Sequence, residues 1–201
     1  MKLFHATSLV AALTAFAPSA QAVFFQNSTG LASPDQTITF ESAVLPVNGS
    51  VTTQFQSFGV TFQNAFGNPD SSTLPNITGN RLGDFQSGIG KTGTFEIDFS
   101  ALQSGAAFAL VSQTGTTTFT ALLNGVPVES ATAATNLIAT NNFFGFSNIT
   151  FNQLTALTVS SDSVFLMDNL QTLAAVPEPE TLAMMLVGLG IVGATARRRK
   201  S

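Results

Sequence analysis

The chain has 201 residues, no cysteine, no tryptophan and no tyrosine; nineteen phenylalanines carry its whole aromatic content. Between residues 23 and 175 two bases, Arg81 and Lys91, face nine acids, a net charge of −7. That balance repels polyphosphate and argues against nucleic acid as a partner, and the missing thiols mean that packing, hydrogen bonds or a metal must replace disulfides.

The first elements are a targeting segment. Lys2 supplies a small positive region, Leu9 to Ala17 is apolar, and Pro18 breaks the run just before Ala20-Gln21-Ala22. Small residues at Ala20 and Ala22 form an A-x-A cleavage site, so residues 1–22 read as a secretory signal peptide and the mature chain starts at Val23.

From Val23 to Ala175 the pattern is β. Short alternating runs of Thr, Val, Ile and Phe recur between turn residues. They are Thr37–Phe40, Gly59–Phe62, Thr94–Phe99, Ala106–Val111, Thr116–Leu123, Val126–Glu129, Phe143–Phe146, Asn148–Phe151, Ala156–Ser160 and Val164–Met167. In Thr94–Phe99, Phe95, Ile97 and Phe99 share one face while Glu96 and Asp98 share the other, which predicts a solvated acidic face. Asn124-Gly125 predicts a hairpin turn, because both residues tolerate positive φ; Pro127 marks the second arm as an edge strand. The stretch Asn64–Gly93, rich in Gly, Asn, Pro and Ser, predicts an irregular loop region. No amphipathic helix is visible between 23 and 175. The expectation is an all-β, antiparallel, jelly-roll-like sandwich.

The tail has three blocks. Val176-Pro177-Glu178-Pro179 is stiffened by its prolines. Residues 182–196 are uncharged and strongly apolar, and Arg197, Arg198, Arg199 and Lys200 follow. An apolar segment ended by cations reads as a stop-transfer signal held in the inner membrane with the cations on the cytoplasmic side. As a helix the segment spans ~22 Å, short of a ~30 Å hydrocarbon core, a gap that snorkelling and local thinning close. The expected division is therefore a signal peptide at 1–22, an exported domain at 23–175 and a tail at 176–201 containing a single transmembrane helix.

Pro177-Glu178-Pro179, the short apolar helix and the terminal basic cluster resemble the PEP-CTERM sorting signal of Gram-negative bacteria. The resemblance implies recognition by an exosortase, cleavage near the P-E-P motif and transfer to the cell surface or extracellular matrix. An older label calls this type of tail the C-terminal domain of ice-binding proteins, although the tail contains no ice-binding chemistry. The order of pieces in the domain, with Ile38–Glu41, Gly59–Phe62, Phe95–Phe99, Phe143–Phe146 and Phe165–Leu170, is similar to exported domains found ahead of such tails. It implies a galactose-binding-like or lectin-like β-sandwich and names no ligand.

The catalytic inventory is thin. His5 lies in the signal peptide, so the mature chain has neither histidine nor cysteine. That excludes Ser-His-Asp and Cys-His catalysis and histidine-ligated zinc. A carboxylate pair drawn from Glu41, Glu96, Glu129 and the aspartates would still suit glycoside hydrolysis, and sugar binding suits the fold but lacks Trp and Tyr platforms. Phe143-Phe144 stands out because adjacent strand residues face opposite ways; both rings in the core or covered over the sheet edge is the expectation, with one of them at the surface as the alternative. Glu41 and Asp168, near the ends of the first strong strand and the last, are the candidate ligands of a structural calcium ion; two solvated acids at strand ends is the competing reading. The overall expectation is a non-catalytic surface or matrix protein associated with exopolysaccharide and biofilm, with a carbohydrate-active module as the alternative.

Overall fold

The computed structural model describes residues 22–69, 72–86, 90–91, 93–159, 165–176 and Val187. The signal peptide up to Gln21, Pro177 to Pro179, the apolar segment except Val187 and the basic cluster lie outside the described residues. Among the described residues no helix is long and apolar enough to cross a membrane.

Thirteen strands follow in order. They are β1 (Val23–Asn27), β2 (Gln36–Ile38), β3 (Ser50–Val51), β4 (Val60–Gln63), β5 (Ala65–Pro69), β6 (Asn80–Gly83), β7 (Phe85–Gln86), β8 (Gly90–Lys91), β9 (Thr94–Ser112), β10 (Gly115–Leu123), β11 (Val126–Thr135), β12 (Phe143–Val159) and β13 (Phe165–Ala174). Within 22–176 the one helical element described is a 3-10 turn, Gln56–Phe58. Eleven strands join in one antiparallel sheet, in the order β11-β10-β12-β9-β13-β6-β5-β3, with β1 added to β12, β2 to β13 and β4 to β9; β7 and β8 form a separate pair.

The sheet is doubled over. Phe95 and Phe108 lie in the same strand, β9, and a straight strand would hold them ~43 Å apart. Their rings meet at 5.4 Å, edge to face. β9 therefore bends between its halves, where Ser100, Ala101 and Leu102 are exposed. β12 bends beside it, with register shifts between Ser147 and Phe151 and again between Phe151 and Gln153; Asn148 there takes a φ of 60°. Bulges of this kind let one strand serve two layers.

Layer one contains β11, β10, the second half of β12, the first half of β9 and β4. Layer two contains β1, the first half of β12, the second half of β9, β13 and the short strands beyond it. Between them the core is aromatic. Phe119 stacks on Phe144 at 4.8 Å and also meets Phe24 and Phe108, and Phe95 meets Phe165 at 4.8 Å.

The outer face of layer two is covered as well. Ala107, Ala109, Val111 and Phe143 are buried there with Leu31 and Ile77, which arrive from loops. Phe143 and Phe144 are accordingly both buried, as expected: one ring faces the core and the other lies beneath the loops.

Three expectations change. Thr94–Phe99 and Ala106–Val111 are one strand, and so are the three runs between Phe143 and Ser160, apart from Ser160, which lies outside the described residues. The Asn64–Gly93 stretch holds β5, β6, β7 and β8 rather than only loop. The first run stops at Ile38, because Phe40 adopts a φ of 62°. That conformation is unusual for a bulky side chain, and it turns the ring into contact with Phe55 at 5.0 Å and Phe62 at 5.8 Å. The hairpin is as read, with φ of 53° at Asn124 and 80° at Gly125, and β11 is the edge strand.

Phe62, Phe95, Ile97, Phe99, Leu110 and Phe165 are buried, as their strand phase requires, and Phe40 is buried by the turn that carries it out of its strand. Phe95 joins the two layers, so Phe95→Ala should cost ~3–5 kcal/mol. Denaturant unfolding of the 23–175 domain measures this; a loss below ~1 kcal/mol would show that the bend does not depend on that contact.

Candidate functional site

The β2–β13 pairing brings Glu41 and Asp168 to one place. Leu170 pairs with Ile38, and β13 also pairs with β6 through Leu166 and Met167. Between these two partners the register of β13 against β9 shifts, at Asp168 and Asn169, and Asn169 takes a φ of 52°. The bulge aims both side chains at the loop that precedes β6.

That loop is held almost entirely by amide and carboxylate groups. Asp168 Oδ2 accepts the Thr78 N–H at 3.1 Å, and Asp168 Oδ1 accepts the N–H of Asn169 at 2.6 Å. Glu41 Oε1 accepts the Asn80 N–H at 2.7 Å. Asn169 Nδ2 donates to the Asn76 carbonyl at 2.8 Å. Asn76 Nδ2 donates to Asn142 Oδ1 at 2.6 Å, and Asn142 Nδ2 donates back to the Pro75 carbonyl at 2.7 Å. Leu74 and Ile77 exchange two backbone hydrogen bonds, each 3.1 Å. The result drives Ile77, fully buried, onto the outer face of layer two.

Electrostatics set Asp168 apart from an ordinary surface carboxylate. Burial pushes the Asp168 carboxyl up from 3.8 to about 6, against the two N–H groups that favour its charged form; the Glu41 charge adds to the rise and Arg81 opposes it. Glu41 and Asp168 thus feel each other across the loop. Among the described residues no group of three Asp, Glu, His or Cys side chains is placed to hold a metal ion. Gly79 passes so close to Glu41, at a φ of 65°, that a Cβ there would collide with the carboxylate.

A second acidic pair lies on the outer face of layer one. Gln153 Nε2 donates to Glu96 Oε1 at 3.0 Å and to Asp98 Oδ1 at 2.7 Å, and Gln63 Nε2 donates to Asp98 Oδ2 at 2.9 Å. Gln153 Oε1 in turn accepts the Gly125 N–H at 2.8 Å, which ties the hairpin turn to the sheet. The Glu96 carboxyl is raised, first by burial and then by the neighbouring Asp98. The face is half-buried and cross-linked, not simply solvated as the alternation predicts. Glu129 is on β11, away from both pairs in strand order.

Sequence reasoning missed Asn76, Thr78, Asn80, Arg81 and Asn142. The first four lie in the Gly- and Asn-rich stretch that reads as loop. Arg81 is fully buried, with its guanidinium donating to the Ser72 carbonyl at 2.9 Å and to Ser72 Oγ at 2.8 Å. The available signal was asparagine itself, which tolerates left-handed backbone and satisfies loop groups; Asn76 has a φ of 55°.

The tail leaves the sheet abruptly. Ala174 N–H donates to Asp35 Oδ2 at 2.8 Å and Ala175 N–H to the Leu102 carbonyl at 3.0 Å. The next residue, Val176, is 81% exposed, and the P-E-P motif follows it in the sequence. Residues 175–200 match the family model described as the PEP-CTERM protein-sorting motif. No curated protein matches the chain. The match supports exosortase-dependent sorting of an exported protein.

The raised Asp168 carboxyl predicts an inverted pH dependence. The folded chain keeps this proton up to about 6, whereas the unfolded chain releases it near 3.8. Stability from this group is therefore full below the unfolded value and falls as pH rises through the folded one. The melting temperature of the domain in chelator should drop across that window. Glu41→Gln should narrow the window, because it removes a charge that raises Asp168 while leaving an acceptor for Asn80. An unchanged profile in Glu41→Gln would mean that the two acids do not interact.

Proposed function

We propose that this chain is an exported, non-catalytic surface or matrix protein, anchored in the inner membrane as a precursor and released by an exosortase into an exopolysaccharide-rich layer. The observation that carries the reading is the three-part tail at 175–200, matched by the sorting-motif model and placed directly after the last strand. Among the described residues the last one bonded to the sheet is Ala175, so a cut near Pro177-Glu178-Pro179 falls beyond the described strands. The basic cluster Arg197, Arg198, Arg199 and Lys200 holds the tail on the cytoplasmic side until that cut, and Ala20 and Ala22 mark the earlier cut that frees Val23.

The non-catalytic part of this reading rests on the inventory. The mature chain lacks histidine and cysteine, and its two acid pairs are engaged with backbone and side-chain amides. The alternative, a carbohydrate-active module of galactose-binding-like or lectin-like type, draws support from one observation. Glu96 and Asp98 meet at a single amide on an open sheet face, an arrangement able to accept sugar hydroxyls. A glycan array on 23–175 separates the two: selective capture of one glycan class, lost in Asp98→Ala, supports the module.

A structural calcium ion is the cofactor this domain would take, between Glu41 and Asp168. The two carboxylates supply oxygens of the kind calcium prefers, and three of their four oxygens also accept N–H groups, from Thr78, Asn169 and Asn80. An ion bound only to the folded state raises stability by mass action. Calcium should raise the melting temperature above its value in chelator. The increment should vanish in Asp168→Ala and persist in Glu129→Ala; equal melting temperatures in calcium and chelator would remove the ion from the proposal.

The sorting test uses two variants. Deleting 176–201 should release a soluble secreted domain with unchanged stability. Replacing Pro177, Glu178 and Pro179 together should leave uncleaved precursor in the inner membrane. Normal processing of the triple replacement would reduce the tail to a plain anchor.

A further inference from the structure

β11 is the terminal strand of the sheet, and its outward backbone edge has no partner among the described residues. Exposed edges invite pairing with another chain, and proteins usually blunt them with charge, proline, bulges or a covering segment. β11 carries such devices only at its start. Pro127 lacks an N–H, and the register slips opposite Ala121 and Leu122, so Val128 bulges. From Ser130 to Thr135 the sequence is S-A-T-A-A-T, without charge, proline or glycine.

That unprotected half is also tied to its neighbour by side chains. Hydroxyl pairs fix it to β10: Thr120 with Ser130 at 3.1 Å, Thr118 with Thr132 at 2.9 Å and Thr117 with Thr135 at 3.0 Å. Thr135 is buried and also receives the Ser112 hydroxyl at 2.7 Å. Ser130, Thr132 and Ala134 face solvent, while Ala131 and Ala133 pack partly on the core.

We propose that this edge pairs with the same edge of a second copy, antiparallel about a two-fold axis near Thr132 and Ala133, so that layer one continues across two molecules. Strand addition satisfies the free N–H and C=O groups of both edges. Self-pairing is favoured by what it sets opposite what. Small uncharged side chains meet small uncharged side chains: on a two-fold centred at Thr132 the two Thr132 side chains face each other, Ala131 faces Ala133 and Ser130 faces Ala134. The two Glu129 side chains, on a two-fold centred at Thr132, fall ~20 Å apart along the strands. At the other edge of layer one β4 is only four residues long, too short to receive the Ser130–Thr135 run. The pairing therefore closes as an isologous dimer instead of extending into a filament. Each domain carries −7, so mutual repulsion opposes association and salt should strengthen it.

Analytical ultracentrifugation tests this on the 23–175 domain, which contains every described strand and both core clusters, and on the full chain in detergent. The expected result is twice the monomer mass, with a dimer fraction that grows with sodium chloride. Thr132→Lys should give a monomer with the wild-type melting temperature; Thr116→Lys, equally exposed but on the inner strand β10, should leave the dimer intact. Because the chain has no cysteine, Ala131→Cys, Thr132→Cys and Ala133→Cys offer a readout that does not depend on a destabilising charge: at least one should form a disulfide-linked dimer under mild oxidant, and Thr116→Cys should not. A monomer at every concentration and salt overturns the proposal. So does a dimer that survives Thr132→Lys, cross-links as well through Thr116→Cys, or forms only when an extended peptide of another sequence is supplied.

Discussion

The contact between Phe95 and Phe108 is the constraint on which the rest depends. Two rings on one strand can touch only if the strand doubles back, and once β9 bends, β12 must bend with it because the two pair along nearly their whole length. The layers are thus covalently continuous through two strands. A sandwich assembled from separate sheets relies on side-chain interdigitation alone to fix the layers; here the backbone fixes them too. That matters for an exported chain without disulfides, whose stability must come from packing.

The acids that looked alike in the sequence do different work. Glu41 and Asp168 hold a loop by its backbone N–H groups and so press Ile77 onto the outer face of layer two. Glu96 and Asp98 share one glutamine amide, and that glutamine secures the β10–β11 turn. In both places a carboxylate is carried some way out of water and its proton affinity rises accordingly. Both pairs anchor backbone that lies outside the regular ladders, a loop in one case and a hairpin turn in the other.

Much of the fold was legible because alternation is a local signal. Phe95, Ile97 and Phe99 announce a strand and its buried face with no knowledge of what covers them. Asn124-Gly125 announces a turn because only a few residue types take its backbone angles. What stayed hidden was non-local. Nothing around Ser100 to Leu102 says that a strand continues through a bend, so one strand reads as two. Phe143 is buried by Ile77 and Leu31, which arrive from distant loops. Phe40 leaves its strand because two other rings receive it. The Glu41–Asp168 encounter was foreseeable from the pairing of first and last strands; the asparagines that complete it were not, since Asn in a Gly-rich stretch reads equally well as unstructured loop. The tail was the most legible part, as its three blocks are contiguous.

The register of layer two also fixes how the domain is held. Val23 pairs with Ser147, Ser147 with Gly105, and Gly105 with Leu173. The first residue of the domain and the end of its last strand are therefore in a single cross-strand row, ~15 Å apart across three strand spacings. The chain enters and leaves by the same end, next to the bends. A pull on residue 176 therefore enters the domain at the same end as a pull on residue 22, and a load between the two crosses only that row of strands, like a strap across one side of a box.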